Sequence, residues 1–346
     1  MIKEKNVGIS ILRIIMCFEV ILVHYWFISD INTLPVYLIP FEKIRLLAVP
    51  VFFIISFMLI GNIMENIDIN KIKKRMCRLF IPYVGWALIY FFILRAFYLL
   101  GISADKPHGK DLLYQLLTGS SFALDPPLWF HADLIVLTII LFFVFFCIKN
   151  TEITITFIGL GTLFCIYLQY SGINVKFFSE YPIEFKYTFG RIAETLPFAY
   201  LGFLLYYFDI ILKLKTYWYH VCFLALGSIA ILYTQNIFQP LLADYSYGGF
   251  EKIFLALMIV LIFISIPFQT LPEYILTGID YISKYTMGIY CIHWMMGIII
   301  NNISQMYNYK TNSFSLCILN FFISLLIAIL LDKILIWKNL GKKLTS

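Results

Sequence analysis

Three ionisable side chains, Arg13, Glu19 and His24, lie inside the first long apolar run of the chain. Placing an ionisable group inside a membrane span costs at least ~2.5–3.5 kcal/mol, so such groups usually face a protein interior or a cavity. Arg13 and His24 are eleven residues apart. That spacing is three helical turns plus about 20°, so both side chains share one helix face, about 16 Å apart along its axis. Glu19 projects about 120° away from both.

A guanidinium and an imidazole on one wet helix face are suited to acid–base chemistry. The guanidinium binds anions, and a neutral imidazole can remove the proton of a nearby hydroxyl. We therefore predict catalytic roles for Arg13, Glu19 and His24. Structural alternatives stay open: Arg13 and His24 as residues of the membrane interface, and Glu19 as the partner of an ion pair, for example with Arg95.

A basic segment at 66–82, NIDINKIKKRMCRLFIP, connects the second and third apolar runs. Arg75 and Arg78 are three residues apart, so they share a face if the segment is helical. Pro82 is expected to bend or begin the following helix. Arginine forks match phosphate oxygens, so we predict a phosphate-binding patch, with anchoring of the cytoplasmic side of the membrane as the alternative or additional role.

The fourth apolar run opens with PPLWFHADL and contains Asp133 one turn in. An acid at this depth predicts a polar cavity that opens outward, and the alternative is an interfacial ion pair with Arg191 or Lys252. Trp129 fits either this entrance or an aromatic belt at the membrane interface.

The ninth apolar run carries YTMGIYCIH, in which Tyr290 precedes His293 by three residues on the same helix face. We predict that both contact substrate. The alternative for His293 is a hydrogen bond between helices.

The composition indicates that these apolar runs lie in a membrane. Hydrophobic residues make up 61% of the chain and charged residues only 13%, which is too apolar for a soluble fold. The net charge of +6 comes from basic residues in short loops beside apolar runs. It therefore predicts membrane topology and no nucleic-acid partner. The seven Cys show neither a disulfide framework nor a metal-ligand spacing.

Ten runs are long and apolar enough to span the bilayer as helices. They cover roughly 8–29, 45–64, 80–101, 128–148, 152–171, 192–211, 218–236, 251–270, 286–306 and 315–336. We predict an all-α membrane bundle of about ten helices, forming a single domain over 1–346 with no appended soluble domain. Lys and Arg are more frequent on the side of the termini, so both termini are expected in the cytoplasm.

In order along the chain, these landmarks resemble those of the membrane-bound acyltransferase-3 family, which includes bacterial O-acyltransferases that modify cell-surface polysaccharides. The first run resembles the family's opening helix, in which an Arg is followed by ten residues and a His, here Arg13 and His24. The stretch from Pro50 to Ser56 resembles its Pro-x-Phe-Phe-x-x-Ser-Gly motif. KKRMCRLFIPY, PLWFHADL, FAYLGFLL and TMGIYCIH resemble its basic turn, its Trp-led helix and its two late landmarks.

The chain departs from the family pattern at three positions. Ser10 stands two residues before Leu12, where family members often have an Asp just before the Leu-Arg pair, and this difference concerns how Arg13 is held. Phe57 replaces the usual Gly, and Glu19 is not expected from the family.

The resemblance implies transfer of an acyl group from cytoplasmic acyl-CoA to a hydroxyl of an extracytoplasmic or lipid-linked glycan, in a multi-pass protein of the bacterial cell membrane. Acetyl-CoA, or another acyl-CoA, would be a co-substrate, with no permanently bound cofactor and no metal. His24 would be the general base, and Arg75, Arg78 and Arg13 would hold the phosphates. The acceptor entrance would comprise Trp129, Asp133, Arg191, Tyr290 and His293, with the outer loops 102–127, 172–190 and 237–250.

Other classes stay open on sequence alone. A transporter or flippase of a small solute or acylated intermediate would also have ten spans and buried charges, although no inverted repeat is visible. A membrane scaffold or glycan polymerase is a third class, and a polymerase would typically show a larger outer loop rich in Arg and His. The oligomeric state, including a homodimer, is not specified by the sequence.

Overall fold

A computed structural model describes residues 6–26, 46–101, 106–119, 126–171, 183–234, 249–306 and 313–333. Within these ranges the regular structure is all helical, with thirteen α-helices and two short 3-10 turns. The helices are α1 Val7–Trp26, α2 Ala48–Glu65, α3 Ile69–Leu99, α4 Gly109–Thr118, α5 Trp129–Ile148, α6 Thr151–Ser171, α7 Ile183–Tyr207, α8 Ile210–Lys215, α9 Trp218–Thr234, α10 Phe250–Ser265, α11 Glu273–Ser283, α12 Thr286–Met306 and α13 Ser313–Lys333. The predicted all-α class is confirmed. Most of the predicted outer loops 172–190 and 237–250 lies outside the described residues.

Six described helices are long and apolar enough to cross a membrane: α1, α2, α3, α5, α6 and α13. They correspond to the predicted runs 8–29, 45–64, 80–101, 128–148, 152–171 and 315–336, and they make the chain a multi-pass membrane protein. The runs 192–211, 218–236, 251–270 and 286–306 fall on α7, α9, α10 and α12. Ten spans, with both termini in the cytoplasm, stays a prediction.

Helix α3 begins well before the predicted third span. Asp68 caps its N-terminus by accepting a hydrogen bond from the backbone N–H of Lys71 at 3.0 Å, and hydrogen bonds from Lys71 lower the pKa of this carboxyl. The helix continues through Pro82 for 31 residues. At 1.5 Å per residue it is about 46 Å long and exceeds the hydrocarbon core of a bilayer, so the basic segment forms its first turns rather than a linker.

Two helices occupy segments that the apolar pattern did not mark. Helix α4 lies in the predicted outer loop 102–127, and α11 follows the 3-10 turn Phe268–Thr270. Helix α10 ends at Ser265 instead of near 270, because Ile266 is extended and Pro267 follows. Both added helices are short and amphipathic, so a search for long apolar runs does not find them.

The centre of the bundle is built by α1, α2 and α12. Helix α1 packs against α2, α10, α11, α12 and α13, while α2 packs most extensively on α7. The close approach of α2 and α7 requires Gly202, since a Cβ there would overlap the backbone carbonyl oxygen of Ile54. These contacts surround α1, on which Arg13, Glu19 and His24 are half-buried.

Candidate active site

Arg13 and His24 of α1 both contact helix α12. The Arg13 Nη2 donates a hydrogen bond to the Thr286 Oγ1 at 3.0 Å, at the first residue of α12. Farther along both helices, the His24 ring lies 5.1 Å from the ring of His293 and 4.9 Å from that of Trp294, between centroids. The two helices therefore run in the same direction, and the α1 face that carries Arg13 and His24 is turned toward α12.

Arg13 lines a cavity of about 390 Å³ together with two arginines of α3, Arg75 and Arg78. The other lining residues come from α2, α3, α5 and α12: Phe52, Ile55, Ser56, Leu59, Ile60, Ile63, Leu79, Phe130, Leu134, Thr286, Met287 and Tyr290. The three predicted donor-binding arginines therefore share one cavity, although they come from two helices that are distant in sequence.

The hydrogen-bond partners of two cavity arginines, Arg13 and Arg75, are neutral hydroxyls. Arg75 is buried, its Nε donates to the Thr138 Oγ1 at 3.2 Å, and its Nη2 donates to the Ser56 Oγ at 2.8 Å. Among the described residues, neither Arg75 nor Arg13 forms an ion pair with a carboxylate. Positive charge in a poorly solvated site without a carboxylate partner favours binding of an anion.

Tyr290 lines this cavity and also contacts the histidine pair. Its hydroxyl donates to the Pro127 carbonyl at 2.8 Å, and its ring packs against Phe130 at a centroid distance of 5.3 Å. The same ring lies 5.7 Å from the ring of His293. Tyr290 lines the cavity, whereas His24 and His293 are not among its lining residues. Tyr290 therefore connects the wall of the arginine cavity with the histidine pair.

The predicted acceptor residues Trp129, Asp133 and Arg191 form one cluster where α4, α5 and α7 meet. Arg191 donates from Nε and Nη2 to the Asp133 Oδ1 at 3.4 and 3.3 Å, and from Nη2 to the Thr118 carbonyl at 3.0 Å. The guanidinium carbon lies 5.7 Å from the centre of the Trp129 ring. The Asp133 side chain is only 1% exposed, so this is a buried ion pair with a cation–π contact.

Gly119 makes the approach of α4 to this cluster sterically feasible. It ends α4 with a φ of 64°, in the left-handed region that glycine adopts without strain. A Cβ at this position would overlap the Ala132 side chain and crowd Arg191. The Thr118 carbonyl reaches Arg191 only because no side chain stands at the next residue.

A sequence comparison matches residues 6–333 to the acyltransferase-3 family, described as an acyltransferase domain. The chain belongs to this family. Together with its apolar helices, this makes the protein a membrane-bound acyltransferase. Neither the curated proteins nor the solved structures give a match.

In this acyltransferase, Glu19 contacts the start of α2. Its carboxylate oxygens accept hydrogen bonds from the backbone N–H of Leu46 at 2.7 Å and of Ala48 at 3.2 Å. The first N–H groups of a helix have no partner within it, and an anion there also interacts favourably with the helix dipole. Arg95, the alternative ion-pair partner, instead donates to the Pro107 carbonyl at 3.0 Å. A catalytic role for Glu19 stays a prediction.

Sequence reasoning missed the neutral residues that position the charges of the acyltransferase site. Thr286, Ser56 and Thr138 hold Arg13 and Arg75, and Phe52 and Phe130 pack around Tyr290. Hydroxyls inside apolar runs were an available signal, because a Ser or Thr facing the bundle interior usually has an interhelical partner. The hydrogen bonds themselves join residues that are distant in sequence, such as Arg13 and Thr286, and residue spacing does not reveal such long-range contacts.

Proposed function

We propose that this acyltransferase transfers an acyl group, with acetyl the first choice, from cytoplasmic acyl-CoA to a hydroxyl of an extracytoplasmic or lipid-linked glycan, with His24 as the general base. The observation that carries the proposal is a cavity lined by Arg13, Arg75 and Arg78, whose wall includes Tyr290, the neighbour of His293 in the histidine pair. A polyanionic donor and a proton acceptor then occupy adjoining sites.

The arginine cavity suits the phosphate-bearing end of acyl-CoA. Guanidinium groups match phosphate oxygens in charge and geometry. The volume of about 390 Å³ is within the usual ~300–1,000 Å³ range of small-molecule sites. With the predicted cytoplasmic termini, the three arginines lie in the cytoplasmic half of the bundle, on the side where acyl-CoA is made, because they stand in the first turns of α1 and α3.

The thioester would reach His24 by passing Tyr290, so a displacement of this side chain is part of the proposal. The acceptor hydroxyl then attacks the thioester carbonyl carbon while its proton passes to a neutral His24. The C–S bond breaks, and the leaving thiolate takes the proton back from the imidazolium. The products are the acyl ester and the free CoA thiol. An acyl-histidine intermediate is a less favoured variant.

The acceptor is proposed to enter beside Trp129, Asp133 and Arg191, with Tyr290 and His293 nearer the reacting groups. The ring of Tyr290 contacts His131, two residues after Trp129, at a centroid distance of 5.7 Å. Aromatic contacts thus extend from the first turn of α5 to the histidine pair. Because Asp133 and Arg191 already bind one another, their contribution is to hold this entrance in shape.

The proposal predicts that His24→Ala abolishes O-acylation of the native glycan while the protein still inserts and accumulates in the membrane. The matched control is His220→Ala, since His220 is exposed at the beginning of α9 and is expected to leave acylation unchanged. General-base assistance contributes about 10²–10⁴ in rate, so purified H24A should transfer acyl groups at least about 100-fold more slowly. Undiminished acylation by H24A would exclude His24 as the base.

A further inference from the structure

The hydrogen bonds of His293 fix which of its ring nitrogens carries the proton. Its Nδ1 lies 2.6 Å from the backbone carbonyl oxygen of Tyr290. A carbonyl oxygen only accepts, so Nδ1 is the protonated nitrogen. The neutral ring then presents Nε2 as an acceptor only.

The Nε2 of His293 is a buried acceptor that no described residue satisfies. The residue is only 1% exposed, and its backbone carbonyl accepts a hydrogen bond from the Asn320 Nδ2 at 2.9 Å. A buried polar atom without a partner is destabilising and uncommon, so it calls for a functional explanation. Here the ring is held at its other nitrogen and its helix is held by α13, so the orientation of Nε2 is set by its surroundings.

His24 is the candidate hydrogen-bond donor for this nitrogen. The two rings lie 5.1 Å apart between centroids, with an interplanar angle of 41°. The Trp294 ring contacts the His24 ring as well, at 4.9 Å in an edge-on arrangement. His24 therefore has two aromatic neighbours on successive residues of α12, and one of them, His293, offers an acceptor nitrogen.

We propose that His293 is a positioning residue for His24 in this acyltransferase. The two rings do not hydrogen-bond in this structure, and a small rotation of either ring brings the His24 N–H to the Nε2 of His293. That hydrogen bond selects the His24 tautomer whose other nitrogen has a lone pair for the acceptor hydroxyl. When that hydroxyl attacks the thioester, its proton moves to the lone pair of His24. The hydrogen bond to His293 then stabilises the imidazolium until the leaving thiolate takes the proton back. The inference rests on the proposed role of His24 as the base.

Two near-isosteric substitutions separate the functions of the two ring nitrogens of His293. His293→Gln retains an acceptor oxygen near the position of Nε2, whereas His293→Asn retains the donor to the Tyr290 carbonyl and removes the acceptor. With purified full-length protein, acetyl-CoA and glycan acceptor, we expect H293N to lower kcat about 100-fold, at the lower end of general-base effects. We expect H293Q to stay within about tenfold of wild type, and the KM for acetyl-CoA to be unchanged in both variants.

A structural role alone would lower kcat equally in both variants or reduce the amount of folded protein, and either result would overturn the inference. Imidazole ¹⁵N NMR supplies a readout that does not require turnover. The signals of His24, assigned by their loss in H24A, should report one tautomer in wild type and in H293Q and a mixture in H293N. An unchanged His24 tautomer in H293N would also overturn it. Activity retained by H24A would instead remove the general-base proposal itself, so the two failures are distinguishable.

Discussion

At the scale of single residues, the buried and half-buried arginines of this acyltransferase fall into two kinds. Arg191 has a carboxylate partner in Asp133, so its charge is compensated within the fold. The hydrogen-bond partners of Arg13 and Arg75 are hydroxyls, which orient a guanidinium without neutralising it. A compensated charge is costly to break, because loss of one partner leaves the other unpaired, whereas an uncompensated charge facing a cavity is available to an anionic substrate.

Loss of Arg191 is predicted to destabilise the fold. Arg191→Ala leaves the buried Asp133 carboxylate without its partner, and breaking a buried pair in this way costs about 3–5 kcal/mol. Arg191→Lys should also be destabilising, because an ammonium lacks the fork that contacts Asp133 and Thr118 together.

Thermal unfolding in detergent measures both Arg191 effects, with Arg95→Ala as the control because the described contact of Arg95 is a single hydrogen bond to a carbonyl. The double variant Asp133→Leu with Arg191→Leu should recover part of the lost stability, since it removes both charges. A melting temperature of R191A equal to that of R95A would contradict this account.

The sequence predicted much of the site at this scale, because residue type and helical spacing carry the information. The shared face of Arg13 and His24 follows from 3.6 residues per turn, and the structure places both against α12. The contact partner of each polar group could not be predicted from the sequence. Glu19 was expected to have a direct role or an ion-pair partner, and it contacts backbone N–H groups at the start of α2.

At the scale of elements, α2 depends on α1 for its beginning. The backbone N–H groups of Leu46, just before the helix, and of Ala48, its first residue, lie within the bundle rather than in bulk water, and Glu19 accepts from both. Helix α2 in turn places Ser56 against Arg75 and contributes Phe52 to the cavity wall. The position of one carboxylate on α1 therefore influences the shape of the donor cavity.

Removing the Glu19 carboxylate is predicted to destabilise α2. Loss of a capping acceptor costs about 1–2 kcal/mol, and unsatisfied N–H groups away from water add to that cost. Glu19→Ala should lower the melting temperature in detergent, and Glu19→Gln should do so less, because it keeps one acceptor oxygen. Glu152→Ala, an exposed acid in the first turn of α6, is the control.

Activity per folded molecule decides between the two roles of Glu19. If Glu19 only holds α2, the folded fraction of E19A transfers acyl groups within about threefold of wild type, because no catalytic contribution of the usual 10²–10⁴ size is lost. Normal stability combined with a large loss of activity would instead support the predicted catalytic role.

Boundaries of elements were predicted less well than their existence, for identifiable physical reasons. Pro82 was expected to bend or begin a helix. It does not begin one, because α3 runs from Ile69 through Pro82 and packing of its buried aromatic residues outweighs one lost backbone hydrogen bond. A bend at Pro82 stays a prediction. The basic residues before Pro82 make the segment from Ile69 less apolar, so the apolar pattern did not mark the beginning of this helix. Short amphipathic helices such as α11 are selected by tertiary contacts rather than by a long apolar run.

At the scale of the whole molecule, positive charge is concentrated toward one end of the α1–α12 axis and imidazoles lie farther along it. Arg13, Arg75 and Arg78 surround the cavity, while His24 and His293 pair about three turns beyond Arg13. This polarity matches a donor that is anionic at one end and carries a thioester at the other. It also matches the predicted cytoplasmic placement of both termini, since the arginines lie near the beginnings of α1 and α3.

The affinity of the detergent-solubilised protein for acetyl-CoA, measured by titration calorimetry, tests this account most directly. Arg78→Gln and Arg75→Gln should each weaken binding about 10–100-fold, the effect of losing one charge-assisted hydrogen bond. Lys74→Gln removes an equal charge from the same basic segment, is exposed and does not line the cavity, so it should bind as wild type does. R78Q is the more decisive variant because Arg78 is exposed at the cavity rim. Unchanged affinity in both arginine variants, or an equal loss in K74Q, would contradict the assignment of the cavity to the acyl donor.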